Sequence, residues 1–257
     1  MTVTATTPTT PTFVIPQYTR RRVLGIWLAA ALPMGVLAWG VAPLLAHAFA
    51  GPAALSRALI VSLTAGLLWQ FALVLWLVGR EQGTLRWSVL REALWLRAPQ
   101  SRRSGRRGGR LWWILLPMTA AFAAEDLLPI FPHPASHDFG AFLGSDAGQS
   151  LMSGGLTWPL VVAAMMILNT VLGEELLFRG VLLPRMQGAF GRADWVVNGV
   201  LFAAYHLHQP WSIPGALYDM LILAYPARRF RSAVISILVH STQTLFFLVA
   251  AAILLVR

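Results

Sequence analysis

The residues of this sequence best suited to chemistry are Glu174, Glu175 and Arg179, set in the apolar stretch Gly173-Glu174-Glu175-Leu176-Leu177-Phe178-Arg179-Gly180. An ionisable residue at the centre of a membrane helix costs about 2.5–3.5 kcal/mol even on lenient insertion scales, so such a cluster needs a reason. Helical spacing supplies part of it, because Glu175 and Arg179 stand at i and i+4 and can pair on one face. Glu174 is rotated by about 100° from its neighbour and cannot share that pairing equally, which leaves it as the free carboxylate. A salt-bridge network that merely fixes helix packing is the plain alternative.

Two later stretches carry the partners such a carboxylate would need: Phe202-Ala203-Ala204-Tyr205-His206-Leu207-His208 and His240-Ser241-Thr242-Gln243-Thr244. A lone histidine in an apolar helix is more often a hydrogen-bonded packing residue. Depth points the other way. Counted from the basic ends of their helices at ~1.5 Å per residue, Glu174, His206 and His240 all fall roughly 13–17 Å into the membrane, as if sharing one water-filled cavity open to the cytoplasm. A buried glutamate beside an imidazole can bind and deprotonate water. The second histidine, with a hydroxyl or amide one turn later, can donate to the oxyanion formed when water attacks a carbonyl. Together these steps hydrolyse a peptide or amide. A zinc ion on Glu174, His206 and His240 would use the same residue types.

The elements that must position these groups are membrane helices. Of 257 residues 57% are hydrophobic and 12% charged, and mean hydropathy is +0.64, against about a quarter charged in a soluble domain. The expected fold is an all-α polytopic bundle with about seven spans: Val23 to about Ala46, then 58–79, 111–131, 157–184, 195–208, 212–226 and 232–256, each judged against the ~20 residues a helix needs to cross. Residues 1–19, rich in Thr and Pro, read as a disordered tail, and 20–257 as one transmembrane domain with its catalytic core in 157–256. The Arg20-Arg21-Arg22 flank precedes an apolar run too long for a signal-peptide h-region.

The net charge of +10 comes from 20 basic residues, all arginine. No basic run is interleaved with aromatics on a soluble module, so nucleic acid is not an expected partner. Topology explains the charge: 80–110 holds nine Arg, and the links near Arg185, Arg192 and Arg228 are also basic, whereas the alternate links are nearly free of Arg. The positive-inside rule then makes 80–110 a cytoplasmic loop, puts the N-terminus in the cytoplasm, and places the link with His133, His137, Asp138 and Asp146 outside. The expected location is a bacterial cytoplasmic membrane. Leu85–Arg97 has an apolar arc at helical spacing that suits the membrane interface or a solvated loop helix, and 99–110 reads as a flexible basic hinge beside lipid headgroups. Asp219 reads as a helix–helix hydrogen-bonding residue, and Glu125-Asp126 and His208 as interfacial. Without cysteine there is no thiol nucleophile and no thiolate metal site.

On these motifs the chain resembles the CAAX protease and bacteriocin-processing enzyme (CPBP/Abi) family of intramembrane glutamic endopeptidases. The family's Glu-Glu-x-x-x-Arg is met by Glu174, Glu175 and Arg179, its Phe-x-x-x-His by Phe202 and His206, and its third motif by His240, with Thr244 where Asn is usual. The resemblance covers about 157–256. It implies that Glu174 and His206 activate water, that His240 and Thr244 bind the oxyanion, and that Glu175 and Arg179 orient the site. It also implies a metal-free mechanism on a membrane protein or lipidated peptide substrate. The motifs of site-2 metalloproteases, rhomboids and aspartyl intramembrane proteases are absent from the sequence. A non-catalytic immunity or partner-stabilising protein, using the cluster as structural glue, is the alternative from another class, and a small transporter with a proton-relay carboxylate is a third.

Overall fold

A computed structural model of the chain describes residues 13–127 and 134–256, so the expected tail over 1–12 and His133 lie outside the described residues. Among the described residues every regular element is helical, and one isolated bridge joins Gln100 to Arg107. Three helices are long and apolar enough to cross a membrane: α1 (Arg20–Ala46), α2 (Ala54–Gln82) and, later in the chain, Thr157–Arg185. At ~1.5 Å per residue their 27, 29 and 29 residues exceed a hydrocarbon core of about 30 Å.

The remaining helices are shorter: α3 (Trp87–Ala93), α4 (Leu115–Ala123), α5 (Phe139–Gly144) and α6 (Asp146–Ser153). The long Thr157–Arg185 helix is α7. After it come α8 (Asp194–Tyr205), α9 (Ile213–Asp219), α10 (Tyr225–Phe230) and α11 (Ala233–Val256). The expectation of about seven spans is not confirmed. Pro210, Pro214 and Pro226 help divide the apolar run after α8 into short pieces, since proline lacks the N–H that an uninterrupted helix needs.

The core lies where α1, α2, α7 and α8 meet. Val23, Ala30 and Met34 of α1 pack with Leu67, Val74 and Leu77 of α2, Leu177, Phe178 and Val181 of α7, and Phe202 and Tyr205 of α8. Outward-facing positions are also apolar: Leu24, Leu28, Leu32, Leu44, Trp76 and Leu160 are exposed. Large aliphatic and aromatic groups on the outer face of α1, α2 and α7 suit a lipid solvent. Together with helix length this makes the chain an integral membrane protein.

At the Arg-rich end the structure adds to or departs from the sequence reading in four places. Arg185, counted above as a link residue, is fully buried. Its Nε donates to Glu81 Oε2 at 2.9 Å and its Nη1 to the carbonyls of Ala93 and Val181 at 3.1 and 3.0 Å. Glu81 also accepts from Arg22 at 2.8 Å and from the Tyr18 hydroxyl, so the last residues of the expected tail are packed against the bundle. Burial pushes the Tyr18 phenol above its ordinary range, with Arg185 opposing. The Leu85–Arg97 segment is packed on the protein at its C-terminal end, where Ala93, Leu94 and Trp95 are buried, while Leu85 and Trp87 stay exposed. The expected hinge is a turn closed by Gln100 and Arg107, whose Gln100 N–H donates to the Phe230 carbonyl at 2.9 Å.

Candidate active site

α7 is not a uniform α-helix. Two π-helical stretches, Leu168–Gly173 and Leu176–Leu182, flank Glu174 and Glu175, and the Glu174 N–H donates five residues back, to Asn169. Such wide turns are rare and concentrate at functional positions. Gly173 makes this one possible: a Cβ there would lie 2.9 Å from Leu67 Cδ2 and 3.0 Å from the Leu168 carbonyl.

Glu175 and Arg179 pair as the i, i+4 spacing predicts, with Nη1 to Oε1 at 3.1 Å and both side chains fully buried. The same Oε1 accepts from His240 Nδ1 at 3.0 Å. Behind this triad the Arg179 guanidinium lies 4.0 Å over the Phe202 ring, a cation–π contact worth up to about 2 kcal/mol when desolvated. Phe202 also meets the His206 ring edge-on at 4.9 Å and that of His240 at 6.4 Å. The phenylalanine of the second motif is thus the plate against which one cation and two imidazoles are set.

Glu174 is 2% exposed and lines a cavity of about 200 Å³ with His206 and His240. The His206 Nδ1 lies 2.9 Å from the Phe202 carbonyl. A carbonyl can only accept, so Nδ1 carries the hydrogen and Nε2 is left as an acceptor. Two residues that the sequence reading gave no role stand behind Glu174. The Tyr205 hydroxyl is within hydrogen-bond reach of its carboxyl, and it accepts from Gln70 Nε2 at 2.7 Å with both groups buried. A glutamine halfway along α2 carries no motif, and the one sequence signal that could have found it is its placement in an apolar span.

Thr244 is not brought to the cavity. Its hydroxyl sits 2.8 Å from that of Thr170 and 3.3 Å from the Met166 carbonyl, and so ties α11 to α7. Its neighbour Gln243 and Asn169 of α7 line the cavity instead.

Three residues given no part in the site, two read as interfacial and Asp219 as a helix–helix contact, line the cavity as well. His208 is buried and stacks on His206 with ring centroids 5.5 Å apart. Asp219 is 6% exposed, and its Oδ1 has no hydrogen-bond partner, contrary to the expected helix–helix bond. Glu125 reaches the cavity wall from the turn after α4. The open side also differs from expectation. Ser56, Ser136, His137, Gln209 and Ser212 line the cavity, and they lie on the links poor in Arg. Leu177, Phe178, Val181 and Leu182 fill the Arg-rich side. A common depth along three helices identifies a level but not which end is plugged.

Among the described residues no three His, Asp or Glu side chains converge as metal ligands.

Residues 156–246 match the family model described as Rce1-like, type II CAAX prenyl endopeptidase Rce1-like. The matched segment begins just before α7 and ends within α11, so it contains all three motifs, whereas part of the cavity wall, Met34, Leu67 and Glu125 among it, comes from outside the match. Such a domain implies a membrane hydrolase of the CAAX prenyl endopeptidase type, consistent with the long apolar helices. No curated protein and no solved structure matches the chain significantly.

Proposed function

We propose that the chain is an intramembrane endopeptidase in which Glu174 and His206 activate water for attack on a peptide carbonyl. The observation that carries this reading is that Glu174, His206 and His240, from three separate helices, line one buried cavity while Glu175 and Arg179 lie behind them. Water held between the Glu174 carboxylate and His206 Nε2 loses a proton to Glu174 as its oxygen bonds to the carbonyl carbon. His240, with Nδ1–H held by Glu175, donates Nε2–H to the oxyanion in its imidazolium form. Gln243 lies three residues on, on the same flank of α11, and its amide is assigned the second donation. When the intermediate collapses the C–N bond breaks, and Glu174 returns its proton to the leaving amine.

The mechanism takes no metal. The substrate is a membrane-anchored protein or lipidated peptide. With the Arg-rich links in the cytoplasm, the mouth of the cavity opens on the opposite side of the membrane. Cleavage of a membrane-tethered reporter by purified protein tests the proposal. Glu174→Ala and His206→Ala are each expected to abolish turnover while leaving the unfolding transition in place. Full turnover by either variant would overturn the assignment.

A further inference from the structure

The cavity has the opposite charge to the rest of the chain. The protein carries 20 Arg against 10 Asp and Glu, yet Glu125, Asp138, Glu174 and Asp219 line the cavity and, among the described residues, no Arg does. The groups there that can carry the other sign are histidines, His240 of the catalytic set among them, and an excess of carboxylates within apolar walls concentrates cations.

Two of these carboxyl groups form a local site. Gly215 and Asp219 are one turn apart on α9 and share a face. The Glu125 carboxylate lies directly against Gly215, where any Cβ would collide with it, so it sits beside Asp219. The Asp219 side chain is more than nine-tenths buried and keeps Oδ1 unpartnered. Arg179, the buried cation of the site, is covered by Phe202 and bound to Glu175. A buried carboxylate is costly unless paired, and the cavity is the open direction from which a partner can come.

We propose that Asp219 and Glu125 form an acidic subsite that takes a cationic group of the substrate, the ammonium or guanidinium of a basic side chain near the scissile bond. This rests on the cavity being the substrate site. Substrates bearing lysine or arginine at that position are then preferred over neutral ones.

The test is a binding measurement that needs no turnover. The full chain, purified into nanodiscs of zwitterionic lipid, is titrated with the fluorescent cation p-aminobenzamidine and with its neutral analogue p-aminobenzamide. The cation is expected to bind saturably and at least ten-fold more tightly than the neutral compound. Asp219→Asn and Glu125→Gln are each expected to weaken it ten-fold or more, and Asp219→Glu to keep it. Glu174→Gln, which removes the proposed base, is expected to bind within three-fold of the unsubstituted protein, so loss of hydrolysis and loss of the subsite are separate results. Equal binding of the two compounds, no cation binding, or unchanged affinity in Asp219→Asn overturns the subsite. Equal loss in Glu174→Gln and Asp219→Asn also overturns it, by placing the cation on the hydrolytic carboxylate. Should Asp219→Asn lack an unfolding transition, Glu125→Gln carries the comparison.

Discussion

Replacing Arg179 by methionine keeps most of the side-chain length and removes only the charge and its donors. The guanidinium is fully buried, holds Glu175 at 3.1 Å and covers Phe202 at 4.0 Å. Its loss leaves the Glu175 carboxylate buried with His240 as its remaining partner. Removing one member of a buried ion pair costs about 3–5 kcal/mol, because the other charge stays desolvated. At about 2–4 °C per kcal/mol for a chain of this size, the midpoint should fall by roughly 6–20 °C. Tryptophan fluorescence during heating in detergent gives the readout directly, since the chain has 11 Trp. The double variant Arg179→Met/Glu175→Gln removes both charges and should recover at least half of the loss, while His240 keeps an acceptor at residue 175. A single variant within 2 °C of the unsubstituted protein would refute the buried-pair reasoning. So would a double variant no more stable than the single one.

Other outcomes follow from the same geometry. Gln243→Leu should lower kcat by about 10²–10³ with KM little changed, the effect of losing one oxyanion donor, whereas Thr244→Val should leave kcat within three-fold and cost roughly 1 kcal/mol through its bond to Thr170; reporter kinetics and melting on both variants separate the two residues. Tyr205→Phe removes the hydroxyl between Gln70 and Glu174 and leaves a buried amide unpaired, for a loss of about 1–3 kcal/mol, and the restoring change Gln70→Leu should regain part of it in a double-mutant cycle. Gly173→Ala forces a Cβ against Leu67 and the Leu168 carbonyl, and should cost about 1–3 kcal/mol by overpacking, read as a lower midpoint in the same heating experiment.

The chemistry of the site was legible where residue type alone is informative. Charged groups in apolar helices are rare enough that Glu174, Glu175 and Arg179 stood out, and the i, i+4 rule gave the ion pair correctly. The three longest helices were legible from length and hydropathy. The shorter helices were not, because an apolar run reports that a segment avoids water without reporting whether it spans or is divided among neighbours. Asp219 and Glu125 were misplaced for a related reason: a carboxylate in or beside an apolar helix has no sequence signature for what it faces. Arg185 looked like a topological charge until its burial against Glu81 was seen. Gln70 and Tyr205 acquire meaning only when α2 and α8 meet, a fact of packing that one-dimensional periodicity does not carry.

The paired π turns around Glu174 and Glu175 have a bearing on how such a helix can change. A wide turn is an α-helix carrying one surplus residue, and each residue advances the helix by about 100°. Deleting any one of residues 168–173 would return that stretch to regular winding and swing everything before it about the axis by that angle. The half of α7 that carries Thr170 and meets α11 would then be out of phase with the half that carries Arg179 and meets Phe202. The surplus residues thus act as a phase correction between two halves of one rod, so a single-residue deletion should be far more damaging here than any single substitution in the same stretch.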